Sequence, residues 1–98
     1  MSDQLPERVE SENDVTVRYW AAARAAAGLE TEVVSATSLA QLLDEIDRRH
    51  RDRDRFRDVI GSCSVLVGEV PVGSRDPADV VLRAGDRVEF LPPFAGGA

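Results

Sequence analysis

The residues whose types and spacing could do chemistry are the last of the chain: Pro92, Pro93, Phe94, Ala95, Gly96, Gly97 and Ala98. Glycine has no Cβ, so Gly96 and Gly97 can thread a narrow channel while a partner's backbone closes around them. A chain that stops one residue after such a pair points to the terminus itself as the reacting group. Pro92 and Pro93 stiffen the exit, because each fixes its own φ and biases its predecessor towards extended geometry. Four extended residues reach about 13–14 Å at roughly 3.3–3.6 Å each, enough to enter a partner's active site while the domain docks outside. The plainer alternative is a terminus of small residues that simply frays.

Other groups carry less. Cys63 is the one cysteine, so no internal disulfide forms, and no Cys/His spacing suits zinc. Its simplest role is a small half-buried side chain; a sulfur relay is the alternative. His50, the only histidine, falls near the expected end of a helix, where a cation is mildly favoured. Residues 47–58 interleave six arginines with four aspartates. The arginines suggest an RNA-binding patch. The aspartates, and Phe56 as the one aromatic available for stacking, fit a solvated helical face better.

A tail that reaches outward needs a domain to hold it. Residues 15–20 alternate and are rich in β-branched and aromatic types, which predicts a strand with Val15, Val17 and Tyr19 on one face. The alanine-rich stretch 21–27, closed by Gly28, reads as a helical turn or a wide loop. A second strand over 30–35 pairs back on the first as a hairpin. Ser38 and Gln41 fit a capping box, and Leu39, Leu42, Leu43 and Ile46 form one apolar stripe of a helix. Phe56, Val59 and Ile60 predict a short second helix ending at Gly61. Strands follow at 62–67, at 70–72 as a short edge with Pro71, and at 87–91 with Val88 and Phe90 facing one way. A mixed sheet of about five strands with one main helix across it is an α+β layer arrangement. Residues 1–14 hold five acids, one arginine and little apolar content, and read as a disordered acidic leader. The domain then spans 15–92, and 93–98 form a flexible Gly-Gly tail.

Ninety-eight residues make one domain. No apolar run is long enough for a membrane span, and no signal peptide is evident, so the expected compartment is the cytoplasm. The formal charge of −6 opposes general nucleic-acid binding and suits docking on basic partner surfaces. All twelve basic residues are arginine. Lacking lysine, the protein cannot form lysine-linked chains of itself.

The chain resembles the small sulfur-carrier proteins of the β-grasp, ubiquitin-like fold (the MoaD/ThiS type), and most of all the small subunits of molybdopterin synthase. The resemblance rests on Val17-Arg18-Tyr19-Trp20-Ala21-Ala22-Ala23-Arg24 with Ala27-Gly28, the helix start from Ser38 to Leu43, and Leu82 with Gly85-Asp86 and Val88. The ending Leu91-Pro92-Pro93-Phe94-Ala95-Gly96-Gly97 completes it, over about residues 15–97. It implies that an E1-like enzyme, using ATP and magnesium, adenylates the carboxylate of Gly97. A sulfur donor then converts it to a thiocarboxylate. Adenylate is a good leaving group, whereas a free carboxylate resists attack. The loaded tail would enter the large synthase subunit and give its sulfur to cyclic pyranopterin monophosphate. Gly96 would supply clearance, and Ala95, Phe94 and the Pro93–Pro92 elbow would contact the partner. No cofactor bound by this chain and no metal are expected, and neither nucleic acid nor membrane is expected as a partner.

Two departures stand out. Tyr19-Trp20 replaces the family's Tyr-Phe pair, an enlarged packing contact. Ala98 follows the second glycine and locks Gly97 in a peptide bond. Three alternatives follow: removal by a C-terminal peptidase, activation of alanine itself, or a copy inactive as a carrier; removal is the expectation adopted. Carriage to thiamine, cysteine or a specialised metabolite, and a ubiquitin-like modifier or binding module, are the alternative functions.

Overall fold

The computed structural model describes residues 13–93. The first twelve residues of the expected leader, and Phe94 to Ala98 of the expected tail, lie outside the described residues.

Five strands and three helices follow one another. β1 is Asp14–Tyr19, α1 Ala21–Ala27, β2 Thr31–Ser35, α2 Leu39–Arg49, α3 Phe56–Gly61, β3 Ser64–Val67, β4 Val70–Pro71 and β5 Arg87–Leu91. A 3₁₀ turn at Pro77–Asp79 precedes β5, with the Asp76 side chain accepting from the Ala78 amide at 2.9 Å. β1 starts at Asp14, the last residue of the expected leader. β3 starts at Ser64 because the amides of Ser62 and Cys63 donate to Val59 and Ile60, continuing the last turn of α3.

The stretch 21–27 is a full helix. Seven residues are marginal alone even for alanine, so tertiary packing decides. Ala23 and Ala27, one turn apart, are buried, and α1 rests against α3. Gly28 ends it at φ 79°, its amide donating to Arg24 O at 2.9 Å. Entry is unusual: Ala21 has φ 48°, the sole positive φ at a non-glycine among the described residues. That turn swings the chain from β1 into α1.

α2 begins as its sequence predicts, with Ser38 Oγ accepting from the Gln41 amide at 3.1 Å. Gln41 Oε1 reaches past Ser38 to the Thr37 amide, at 2.7 Å, so the reciprocal bond closes one residue early. Leu39, Leu42 and Ile46 are buried and Leu43 flanks them.

The sheet order is β2-β1-β5-β3-β4. β1 and β5 are parallel; the other neighbours are antiparallel. Val15, Val17, Val34, Val88 and Phe90 join the stripe of α2 in one core. The successive residues Thr16, Arg18 and Glu89 fall on the opposite face, because side chains alternate along a strand. Among the described residues, no helix is long and apolar enough to cross a membrane.

Candidate functional site: the root of the tail

β5 runs between β1 and β3, so the strand that ends in the tail is held on both sides. Tyr19 stands opposite Phe90 in the parallel pair, and Ser64 opposite Leu91 in the antiparallel one. Phe90 is fully buried and its ring stacks on Tyr19 at 5.8 Å and 17°. Beyond the end of β1, the Trp20 amide donates to Phe90 O at 3.1 Å. Pro92 and Pro93 then have no N–H to offer, so the ladder cannot continue. Pro92 is half-buried and Pro93 exposed. Of the residues predicted for the site, these two are placed at the domain's rim; Phe94, Ala95, Gly96 and Gly97 lie outside the described residues.

A surface cluster fixes the rim. Trp20 is 39% exposed, and its indole Nε1–H donates to Glu89 Oε1 at 2.8 Å. The Arg18 guanidinium lies 4.2 Å from the ring centroid and pairs with Glu30 at 2.8 Å. Arg87 approaches Glu89 at 3.8 Å. Each exposed contact of this kind contributes at most about 1 kcal/mol, but together they hold the indole in one place. The expected enlarged packing contact is thus divided. Alternation sends Tyr19 into the core and Trp20 to the outer face.

Beneath the rim, Glu32 collects three donors. Tyr19 Oη donates to Oε2 at 2.5 Å, His50 Nε2 lies 2.7 Å from the same oxygen, and Arg49 Nη1 donates to Oε1 at 3.0 Å. Burial raises the Glu32 carboxyl, yet the bonds from Tyr19, His50 and Arg49 outweigh it and hold the group below its ordinary range. Burial, and then donation to Glu32, pushes the Tyr19 phenol far above its own. His50 also caps α2, its amide donating to Ile46 O at 3.0 Å, and its ring sits 4.6 Å from that of Phe56. Its role is to tie α2 to β2 and so to brace Tyr19 under Phe90. Arg49 also donates to Val33 O at 3.0 Å, covering part of the exposed edge of β2.

Cys63 precedes Ser64, the residue opposite Leu91, and is half-buried as expected. Its Sγ bonds Val59 O at 3.2 Å, and burial pushes the thiol up to about 11. The thiolate is the nucleophile, so this sulfur is poorly suited to a relay. Among the described residues, no cluster of three His, Cys, Asp or Glu could hold a metal ion. What the arrangement offers is a root for the C-terminal segment, held on both sides up to the prolines. Trp20, Arg18 and Glu89 are the site residues that sequence reasoning missed. The period-2 alternation of β1 was the signal that could have found Trp20.

No curated protein matches the sequence. Among solved structures, small archaeal modifier protein 1 of Methanosarcina acetivorans is 21% identical, with TM-score 0.70, covering 86% of this chain and 96% of that one. A Pyrococcus furiosus protein assigned as subunit 1 of molybdopterin converting factor is 24% identical, with TM-score 0.66, covering 83% and 98%. In a Helicobacter pylori complex of subunits 1 and 2 of molybdopterin-converting factor, the matching chain is 20% identical, with TM-score 0.62, covering 83% and 95%. These likenesses establish the β-grasp, ubiquitin-like fold. The ThiS family model matches residues 17–97, from the middle of β1 through the strand that roots the tail to the second glycine. The chain therefore belongs to the ThiS family.

Proposed function

We propose that this protein is a sulfur carrier, the small subunit of a molybdopterin synthase, bearing sulfur as a thiocarboxylate on Gly97 once Ala98 has been removed. The observation that carries the reading is the family match running through Gly97, joined to a root clamped by β1 and β3 just before the prolines. An E1-like adenylyltransferase attaches AMP to the Gly97 carboxylate at the expense of ATP and magnesium, which that enzyme binds. A sulfur donor displaces AMP and leaves sulfur on the carbonyl carbon. Gly96, Ala95 and Phe94 follow into the partner's channel, with Pro93 and Pro92 as the elbow.

The large synthase subunit is the acceptor's host; the Helicobacter pylori pair of subunits 1 and 2 supports such a partnership. The catalytic side chains then belong to the partners. The compartment of these partners, the cytoplasm, is the one proposed for this chain.

The test is the intact mass of the protein from its native host under thiol-protecting, non-reducing conditions. Loss of one alanine with exchange of one oxygen for sulfur is expected. A terminus still bearing Ala98, inert to the activating enzyme and ATP, overturns carriage. If thiocarboxylate forms but the large subunit builds no dithiolene with it, the acceptor is another: thiamine, cysteine or a specialised metabolite. Isopeptide adducts to partner lysines, with no sulfur on the terminus, would identify a modifier instead.

A further inference from the structure

The arginine run does not behave as an evenly solvated face. Its charges fall into two hollows. Arg51, Arg53, Asp54, Asp58 and the Asp47–Arg57 ion pair line one on the side of α2. Arg55 instead stands with Ala22, Ala25, Ala26 and Val59 in a hollow between α1 and α3. Arg53 also reaches across the end of α1, where a Cβ at Gly28 would run into its guanidinium. Gly28 in turn shares a hollow with Arg24 and Ala25. Arg24, Arg53 and Arg55 are all exposed, and none has a carboxylate partner among the described residues, whereas Arg18, Arg48, Arg49, Arg57 and Arg87 each have one. Glu30, beside Arg24, is already paired with Arg18.

We propose that this α1–α3 face, with Arg24, Arg53 and Arg55 around the alanines of α1, docks an acidic surface of the enzyme that activates the tail. The proposal rests on the carriage reading above. Position favours it: α1 begins at the residue after Trp20, whose amide holds Phe90, so the arginines and the tail leave the same end of the sheet. Chemistry favours it too. A floor of methyl groups lets another surface approach closely, and guanidinium forks pair bidentately with carboxylates. The net charge of −6 averages over faces and hides this one. A nucleic acid fits less well. The alanine floor offers no ring to a base, and the nearest indole, Trp20, has Arg18 on one face and Glu89 on its nitrogen.

The experiment is steady-state adenylation of the chain ending at Gly97 by its cognate adenylyltransferase. It compares wild type, R24E/R53E/R55E, R24Q/R53Q/R55Q and, at the turn before β5, R83E. Charge reversal should raise KM about tenfold or more with kcat unchanged and flatten its salt dependence, the glutamine variant should fall between, and R83E should match wild type. An unchanged KM in both triple variants overturns the docking face and leaves carriage standing. If the wild type forms no adenylate, carriage fails, and titration of the full chain against the same enzyme reads the face alone. Binding lost in the reversed variant supports the face; binding unchanged or absent overturns it. Tight binding of wild type to single-stranded RNA, lost in the reversed variant, also overturns it.

Discussion

The Trp20 amide donates to the Phe90 carbonyl at 3.1 Å, one residue past the end of β1 and two before Pro92. On the β1 side this bond is the last backbone tether before the prolines, while on the β3 side Leu91 still pairs with Ser64; it is made by the residue whose indole marks the rim. The same residue therefore serves two functions separable by mutation, since substitution keeps the amide and removes the ring.

Trp20→Ala should leave the fold within about 1 kcal/mol of wild type, because what it loses is half-exposed stacking and one exposed hydrogen bond. It should raise KM for the adenylyltransferase with kcat little changed, the mark of lost ground-state docking. Denaturant melts and steady-state kinetics on the chain ending at Gly97 check the two halves. Equal falls in kcat and kcat/KM would give the indole a role in the transition state instead.

An extra residue moves the terminal carboxylate by about 3.3–3.6 Å. Misplacement by 1 Å alone can cost on the order of 10²-fold. Deleting Ala98 should therefore raise adenylation by at least that order, and Gly97→Val in the shortened chain should abolish the gain by blocking the channel. Pyrophosphate release measures both. Equal rates for the chains ending at Ala98 and Gly97 would show alanine itself to be activated.

The Glu32 carboxyl is held below its ordinary value near 4.5 by Tyr19, His50 and Arg49 against the opposing effect of burial. A depressed carboxylate contributes stability that is present above the unfolded value and lost as pH falls through the folded one. Wild type should therefore lose stability below about pH 4.5, and Glu32→Gln should lose less there. At neutral pH the variant should be about 1–3 kcal/mol less stable, since it leaves the Tyr19 and Arg49 donors short of an acceptor. Urea melts across the pH range decide. An acid limb of the same depth in Glu32→Gln would assign the loss to other carboxylates.

Alternation and helical spacing made most of this fold legible. Val15, Val17 and Tyr19, then Val88 and Phe90, are buried as their period of two requires, and Leu39, Leu42 and Ile46 as their period near 3.6 does. α1 was ambiguous because six alanines around Arg24 carry little polar contrast, and its helicity depends on packing against α3 and on the Gly28 cap. The Glu32 cluster was invisible because its members lie 13 and 18 residues apart in the chain; only the sheet and α2 bring them together. The separation of Arg55 from Asp54 and Asp58 follows from a turn whose path no periodicity records. The Gly-Gly tail lies outside the described residues, and the structure adds the root that precedes it.

Ala21 is where the chain leaves β1, at φ 48°. An L-residue in that region costs roughly 1–2 kcal/mol, which glycine avoids. Against this, glycine gives the unfolded chain more freedom, worth about 0.4–1 kcal/mol. Ala21→Gly should therefore be neutral or slightly stabilising. Ala25→Gly, at an exposed position inside the same helix, should cost close to 1 kcal/mol, the ordinary penalty. Because the strained turn also sets the direction of α1 relative to the root, relieving it tests whether α1 depends on that strain. Adenylation kinetics of Ala21→Gly matching wild type would mean that packing on α3 alone fixes the helix. A raised KM with unimpaired stability would mean that the left-handed residue positions it.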